Sequence, residues 1–263
     1  MGVSGRWKVP ARSGKKIVSE SRTIVSFRDV AFEVAGVRIL EGVDLSVARG
    51  ETLVLLGESG CGKTTTLKLI NRLIEPTEGD VVVNGRSTLA VDAVGLRRGI
   101  GYVLQEGGLF PHMTAAENVG LPLRLAGSDS GSIIARVDEM LTLVGLEPDS
   151  FANRFPHELS GGQRQRLGVA RALVADPDLL LLDEPFGALD ALTRAAVQQE
   201  FARIVRELGK TAVFVTHDLH EAMLLGSRIA LMDKGRVVFL GTPEEFAVST
   251  LPLARAYLAT VEL

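Results

Sequence analysis

The sequence has few of the residues that stabilise small secreted proteins, and it lacks the long apolar runs that span membranes. One cysteine, Cys61, occurs among the 263 residues, so an internal disulfide is excluded and a reducing compartment is compatible. Aromatic residues make up 5% of the chain. No uncharged apolar run approaches the roughly 18–20 residues that cross a bilayer. If the protein serves a membrane process, another chain must supply the membrane span.

An excess of basic charge is also missing. The chain has 29 Lys and Arg against 32 Asp and Glu, a formal net charge of −3. Because a general nucleic-acid-binding protein usually carries an excess of Lys and Arg, we expect no nucleic-acid partner.

Residues 1–22 are the exception to this balance of charge. Their one acid, Glu20, stands among six basic residues, without apolar periodicity and without the apolar core of a secretory signal. We expect residues 1–22 to be a disordered basic tail. Contact with anionic lipid headgroups beside a membrane partner is the alternative.

From residue 23 onward, strand patterns alternate with helix patterns. Short strand-like segments open this part, and three continuous apolar runs are typical of strands buried on both faces, at residues 52–56, 179–182 and 212–215. Between the second and third of these runs, apolar residues recur at helical spacing, and Gly209 is placed to end that helix. A second helical pattern marks an insertion at about residues 107–165. This alternation predicts an α/β fold with a mostly parallel core sheet.

A glycine-rich loop follows the first of these buried strands and precedes a helix. It reads GESGCGKTT and matches the pattern G-x-x-x-x-G-K-[ST]. Its glycines let the backbone turn tightly and approach phosphates, and its N–H groups form an anion nest at the helix N-terminus. The loop therefore predicts a nucleotide site, whose phosphate-binding residues are Gly57, Glu58, Ser59, Gly60, Cys61, Gly62, Lys63, Thr64 and Thr65.

Two side chains of this loop have predicted roles of their own. Lys63 is expected to reach the β- and γ-phosphates, and the Thr64 hydroxyl is expected to ligate Mg²⁺. Thr65 adds a further phosphate contact. Cys61 is interpreted as a small loop residue, with a redox switch as the alternative.

Adjacent acids end the second buried strand in the segment LLLLDE. A buried strand that ends in acids is how a phosphate-loop enzyme holds its metal ion, so Asp183 is predicted to contact Mg²⁺. Glu184, one residue further on, is predicted to polarise the attacking water as general base. A solvated strand exit is the alternative interpretation of the pair.

Three more segments carry polar groups at the ends of elements. LSGGQ at residues 159–163 opens an apolar-periodic helix, and a serine followed by glycines makes a second anion-binding helix N-terminus. Gln105 ends a predicted strand, and so does His217. Because His217 follows a buried strand some thirty residues after the acidic pair, a catalytic role is favoured over a structural one.

In this order, GESGCGKTT, Gln105, LSGGQ, LLLLDE, GALD and His217 resemble the ATP-binding cassette of ABC transporters, over about residues 23–245. The resemblance implies a phosphate-loop NTPase fold with a mixed, mostly parallel core sheet, an antiparallel β subdomain and a helical subdomain at about residues 107–165. Residues 246–263 would form a C-terminal helical extension. ATP and Mg²⁺ are the implied cofactors.

The resemblance also implies a head-to-tail homodimer with two ATP molecules at its interface. In such a dimer the γ-phosphate bound by Lys63 of one subunit is contacted by the other subunit's Ser160, Gly161, Gly162 and Gln163. Gln105 would ligate Mg²⁺, sense the partner and take part in catalysis, and His217 would hold the γ-phosphate in the transition state. Asp190 would couple the two sites.

Longer strings resemble one transporter group in particular, the importers of quaternary-amine osmoprotectants such as glycine betaine or choline. They are GLFPHMTAAENV, PHELSGGQRQRLGVARAL and DEPFGALDALTR. The implied partners are membrane-spanning permease subunits and, indirectly, an extracytoplasmic solute-binding protein, with the chain on the cytoplasmic face of the inner membrane. Nitrate, sulfonate, taurine or lipid transport is an alternative, and a soluble ABC ATPase outside transport is another.

One position departs from the family pattern. The family places an aromatic residue that stacks on adenine near the end of the strand at residues 30–34, where this sequence has Val34. Phe32 lies on the same face but is displaced by roughly 7 Å, one strand repeat. Because base stacking contributes ~1–3 kcal/mol in nucleic-acid complexes, we expect weak ATP affinity or loose base selectivity.

Overall fold

The computed structural model describes residues 23–104, 108–187 and 189–260. In these residues the strands are β1 (Thr23–Val34), β2 (Val37–Ala48), β3 (Thr52–Leu56), β4 (Glu78–Val83), β5 (Arg86–Ser87), β6 (Ile100–Val103), β7 (Leu179–Asp183), β8 (Thr211–Thr216), β9 (Arg228–Asp233) and β10 (Arg236–Gly241). The α-helices are α1 (Lys63–Ile70), α2 (Ala93–Arg98), α3 (Ala115–Leu125), α4 (Ser130–Leu143), α5 (Pro148–Phe151), α6 (Gly161–Leu173), α7 (Ala191–Glu207), α8 (Leu219–Leu225), α9 (Pro243–Ala247) and α10 (Pro252–Leu258).

The strands form two sheets. An antiparallel sheet has the order β2-β1-β4-β5, and a mixed sheet has the order β10-β9-β3-β8-β7-β6. In the mixed sheet β9, β3, β8, β7 and β6 are parallel neighbours, and β10 joins the edge antiparallel to β9. This arrangement confirms the predicted α/β fold with a mostly parallel core sheet.

The central strands of the mixed sheet, β3, β7 and β8, are buried on both faces, as their continuous apolar runs predict. Along β3, Leu53 and Leu55 belong to the buried cluster shared with the antiparallel sheet. Val54 and Leu56 alternate with them and belong to the buried cluster formed with the helices. The rigid centre of the fold therefore carries the loops that follow these strands.

The antiparallel sheet differs in one detail from the sequence pattern. Of the three short strands expected at its start, residues 24–27 and 30–34 form one strand, β1, and residues 37–40 begin β2; the register of β1 with β2 shifts between Phe27 and Val30. Asp29 has a φ of 48° at that point. A local irregularity of this kind lets one strand change direction without ending, which the alternation of polar and apolar residues does not reveal.

The helices α3, α4 and α6 pack on one another, and α6 also packs against β6. None of the helices in the described ranges is both long enough and apolar enough to cross a membrane. The predicted disordered tail at residues 1–22 lies outside the described residues, and so does Gln105.

Candidate functional site

The phosphate loop, the acidic pair and His217 lie where three neighbouring parallel strands end. β3 runs into Gly57, β7 into Glu184 and β8 into His217. The strands are in register at this edge, since Leu56 pairs with Thr216 and the Glu184 N–H donates to the Val215 carbonyl at 3.1 Å. Parallel strands place their carboxyl ends on one side of a sheet, so residues far apart in sequence meet here.

The phosphate loop connects β3 to α1 through a backbone that only glycine tolerates at its last position. Gly62 is the N-cap of α1 with a φ of 108°, and a Cβ there would lie 2.5 Å from the Leu40 side chain. No side chain caps α1. The first N–H groups of the helix therefore remain available to an anion, in keeping with the predicted phosphate cradle.

Lys63 lies in the interior of this loop. Its side chain is 4% exposed, and its Nζ donates to the carbonyls of Gly57 at 2.6 Å and Glu58 at 2.8 Å. These contacts hold the ammonium group against the loop backbone. A phosphate oxygen is a stronger acceptor for an ammonium donor than a neutral carbonyl, so a nucleotide can displace these bonds.

Thr64 and Asp183 meet between the loop and β7. The Thr64 hydroxyl donates to Asp183 Oδ1 at 2.8 Å, and Asp183 is buried. Burial raises the pKa of Asp183, the Thr64 hydrogen bond opposes the rise, and the neighbouring charge of Glu184 adds to it. A hydroxyl and a carboxylate in contact supply the oxygen donors that Mg²⁺ prefers, so this pair fits the predicted metal.

Glu184 and His217 face each other at the ends of β7 and β8. Glu184 Oε2 lies 3.4 Å from His217 Nδ1, and the imidazole is largely exposed while the carboxylate is mostly covered. Glu184 has a φ of 42°, in the left-handed region. Non-glycine residues in that region cluster at active sites, where surrounding structure holds them in place.

A small cavity of about 50 Å³ adjoins the Glu184–His217 pair. Its walls are formed by Glu184, Gly187, Arg194, Thr216, His217, Asp218 and Glu221. The general base and histidine predicted from sequence thus share a concave site with α7 and α8.

The LSGGQ segment begins α6. The Ser160 hydroxyl accepts from the Gln163 N–H at 3.3 Å, and the Gln163 side chain accepts from the Ser160 N–H at 2.9 Å. This reciprocal capping box fixes the serine at the helix N-terminus. In the part of the chain that the structure describes, neither side chain bonds to the phosphate loop.

Asp190 caps the neighbouring helix α7. Its carboxylate accepts from the Thr193 N–H at 3.1 Å, and hydrogen bonds from the Thr193 side chain and backbone lower its pKa. A Cβ added at Gly162 would lie 2.5 Å from the Thr193 side chain, so glycine allows α6 to approach α7 closely. The structure thereby brings Asp190 and the LSGGQ helix together.

Sequence reasoning missed a set of buried polar residues behind the site. Gln198, Thr216 and Glu221 are each at most 5% exposed and are joined by hydrogen bonds. Gln198 gave a signal in the sequence, since it is a polar residue at the helical spacing of the apolar face of α7 that includes Phe201 and Val205.

The sequence pattern also gave no sign that Tyr102, on β6, lies near Asp183. Burial raises the pKa of Tyr102 to about 12, and the nearby charge of Asp183 adds to the rise. Nothing in the strand pattern distinguishes this tyrosine from an ordinary half-buried aromatic residue.

Comparisons with known proteins agree with this geometry. A family described as ABC transporter matches residues 40–187. The chain is 50% identical over 208 residues to the osmoprotectant import ATP-binding protein OsmV of Salmonella typhimurium, covering 79% of this chain and 54% of that relative. It is 46% identical over 220 residues to the glycine betaine uptake system ATP-binding protein YehX of Escherichia coli, covering 84% and 71%.

A solved structure of the same shape is the dimeric, post-hydrolysis state of the ATP-binding cassette MJ0796 bound to ADP and phosphate. It superposes with a TM-score of 0.75 at 36% identity, covering 84% of this chain and 99% of that one. By contrast, the chain spans about half the length of OsmV.

Proposed function

Because the chain belongs to the ABC transporter family, we propose that it is an ATP-hydrolysing subunit that powers a solute importer. The proposal rests on the meeting of the predicted phosphate, metal and base residues at one edge of the parallel sheet. There, Lys63 lies in the phosphate loop, Thr64 bonds Asp183, and Glu184 faces His217.

Each side chain has a distinct part in hydrolysis on this proposal. The N–H groups of residues 57–65 and Lys63 hold the β- and γ-phosphates of ATP. Mg²⁺, when bound, neutralises charge that develops on the phosphates, and Thr64, Asp183 and Gln105 would hold it. Glu184 orients and deprotonates the attacking water, and His217 donates a hydrogen bond to the γ-phosphate.

The second half of the site comes from another copy of the chain. We propose a head-to-tail homodimer in which Ser160, Gly161, Gly162 and Gln163 of one copy close over the nucleotide of the other, with Asp190 between the two sites. The capped N-terminus of α6 supports this assignment because such a terminus attracts phosphate. The dimeric state of MJ0796 supports it as well.

We assign the solute by similarity, since this site would bind nucleotide rather than cargo. OsmV is named for osmoprotectant import and YehX for glycine betaine uptake. We therefore propose that the transported solute is a quaternary-amine osmoprotectant such as glycine betaine or choline. Permease subunits and a solute-binding protein complete the system, and the chain acts on the cytoplasmic face of the membrane.

We further propose the functional boundaries that go with this role. The cassette occupies residues 23–245, its helical subdomain occupies about residues 107–165, and residues 246–263 extend it. The packing of α3 and α4 on α6 supports a helical subdomain in this region.

The transport proposal is tested by uptake of labelled glycine betaine and choline after osmotic upshift. The cells compared are the parent strain, a strain that lacks the gene, and the same strain complemented with either the wild-type chain or Glu184→Gln. We expect wild-type complementation to restore uptake and Glu184→Gln to leave it absent.

Unchanged uptake in the deleted strain, with other osmoprotectant systems removed, would refute the solute assignment. Labelled taurine, sulfonates and nitrate would then be compared in the same four strains. Salt-sensitive binding of the purified chain to DNA or ribosomes would instead favour a soluble ABC ATPase.

A further inference from the structure

A buried carboxylate that the proposed hydrolysis does not use lies between β8, α7 and α8. Glu221 is 5% exposed. Its Oε2 accepts from the Thr216 hydroxyl at 2.5 Å, and its Oε1 accepts from Gln198 Nε2 at 2.8 Å. One side chain of α8 thus bonds the end of β8 and the middle of α7 at the same time.

Thr216 transmits this contact to the residue that follows it. Its hydroxyl oxygen also accepts from the Asp218 N–H at 3.0 Å. His217 therefore lies between two residues joined by one hydroxyl group, and that hydroxyl is itself bonded to Glu221. The Asp218 carboxylate caps α8, which fixes the far side of the turn.

The start of α7 lies beside this network. Arg194 lines the cavity together with Glu221 and His217, and its positive charge partly offsets the burial of Glu221. Arg194 Nη2 donates to the Leu189 carbonyl at 2.9 Å, next to Asp190. The segment before α7 and the His217 turn therefore border the same cavity.

Burying these polar groups lowers the free energy of unfolding relative to an apolar core, so a role outside stability would explain their presence. Burial raises the pKa of Glu221, although the hydrogen bonds from Thr216 and Gln198 oppose the rise. Apolar residues of similar volume would fill this space at less cost in solvation. Fully bonded polar networks, in return, hold neighbouring elements in one arrangement.

We propose that Glu221 is a positioning residue that ties β8 to α7 and so holds His217 against Glu184. The inference rests on the proposed ATP hydrolysis, since it assigns Glu221 and Gln198 to the support of that site. It predicts that the network affects turnover through His217 and leaves nucleotide binding largely unchanged.

The test compares Gln198→Met with a reciprocal exchange, Gln198→Glu combined with Glu221→Gln. Methionine keeps the volume and removes the donor. In the exchange, the amide introduced on α8 would donate to the carboxylate introduced on α7, and the amide oxygen would accept from Thr216. The matched control is Gln199→Met, because Gln199 is the next residue of α7 and is exposed.

We expect Gln198→Met to lower kcat for MgATP about tenfold or more, because small displacements of catalytic groups have effects of this size. We expect the Kd for ATP to stay within about twofold of wild type, since the substitution leaves the phosphate loop that binds the nucleotide unchanged. The exchange should restore most of kcat. Gln199→Met should match the wild type.

A second comparison separates positioning from general stability. Gln198→Met is combined with His217→Ala and, as control, with His220→Ala, an exposed neighbour. If Gln198 acts through His217, its substitution should have little further effect once His217 is removed but its full effect beside His220→Ala.

The inference is overturned if Gln198→Met lowers only the melting temperature, if its effect multiplies with that of His217→Ala, or if the folded exchange variant stays impaired. Hydrolysis of MgATP by the wild-type chain distinguishes a failure of this inference from a failure of the proposed function. If the wild type hydrolyses MgATP, only the role of Glu221 and Gln198 is overturned. A wild-type chain that binds MgATP without hydrolysing it would refute both.

Discussion

At the scale of single residues, Asp183 has to satisfy stability and chemistry at once. It is buried at the end of β7, where it accepts from the Thr64 hydroxyl and lies near the charges of Glu184, Lys68 and Lys63. Burial raises its pKa, so the folded chain binds this proton more tightly than the unfolded chain does. Ionised Asp183 therefore lowers the free energy of unfolding at neutral pH when no metal is bound.

Asp183→Asn should remove this destabilisation, because asparagine is neutral. We expect the metal-free variant to be more stable than the wild type at pH 7 by about 1 kcal/mol, while MgATP hydrolysis is lost. The difference should shrink as the pH falls through the raised pKa of Asp183, because the wild-type carboxyl then becomes neutral. Urea unfolding in the presence of EDTA, at several pH values, measures this.

The matched control is Asp178→Asn, because Asp178 precedes the same strand and its side chain is mostly exposed. A metal-free Asp183→Asn variant that is less stable than wild type at pH 7, by an amount independent of pH, would contradict this account of Asp183.

At the scale of elements, two helices begin with the same cap but have different proposed roles. Thr114 with Glu117 caps α3, and Ser160 with Gln163 caps α6, each as a reciprocal capping box. The local geometry alone does not separate them. The difference lies in the residue that follows each cap, because Gly161 adds no side chain to the α6 terminus, whereas Ala115 follows Thr114 in α3.

Replacing either cap with alanine should have the same effect on stability and a different effect on turnover. We expect Thr114→Ala and Ser160→Ala each to lower the free energy of unfolding by about 1 kcal/mol. Ser160→Ala alone should also lower kcat for ATP about a hundredfold, as loss of a donor to transition-state charge does. Denaturant unfolding and phosphate release measure the two effects.

If Thr114→Ala and Ser160→Ala have the same kcat, whatever their stabilities, the proposed role of α6 is contradicted, since only Ser160 is proposed to contact phosphate.

We expect the hairpin of β1 and β2 to determine base selectivity. Val34 is 53% exposed at the position where the resemblance implies an aromatic residue, and Phe32 is partly buried against the core. We expect similar Kd values for ATP and GTP in the wild type. Val34→Tyr should tighten ATP binding about tenfold, because it adds a stacking surface.

Val37→Tyr on the facing strand is the matched control, since Val37 is the cross-strand partner of Val34 and similarly exposed. Equilibrium binding of both nucleotides to the three proteins checks the expectation. Tight wild-type binding with strong preference for ATP would contradict it, and a loss of that preference in Phe32→Leu would assign the stacking role to Phe32.

Much of the fold could be predicted from the sequence because its signals are local. The apolar runs of β3, β7 and β8 and the glycine loop after β3 are each contained in a few consecutive residues. Parallel pairing of these strands then brings Lys63 near Asp183 without further information.

The rest depends on contacts between distant segments. Glu221 bonds Gln198 across 23 positions, and neither residue belongs to a motif. The shift of β1 at Asp29 has the same origin, since it depends on how β2 and β4 pair with that strand. Only Gln198 left a trace in the sequence, as a polar residue on an apolar helix face.

At the scale of the whole molecule, the proposed function needs two copies of the chain. On this proposal one copy would hold the nucleotide through Lys63 and supply the base Glu184. The other would contribute Ser160 at the start of α6, whose side chain has no bond to the phosphate loop of its own copy in the described ranges. Closure of the dimer on ATP and its opening after hydrolysis would then drive the membrane partner.

The measurement that tests this account most directly is release of phosphate from MgATP by the purified chain and by Glu184→Gln, together with the sedimentation of both in ATP. We predict that the variant binds ATP, hydrolyses it about 10³-fold more slowly, a loss of ~4 kcal/mol in transition-state stabilisation, and sediments as a dimer. A variant that hydrolyses ATP at close to the wild-type rate would contradict the assignment of Glu184 as the base and, with it, the proposed mechanism.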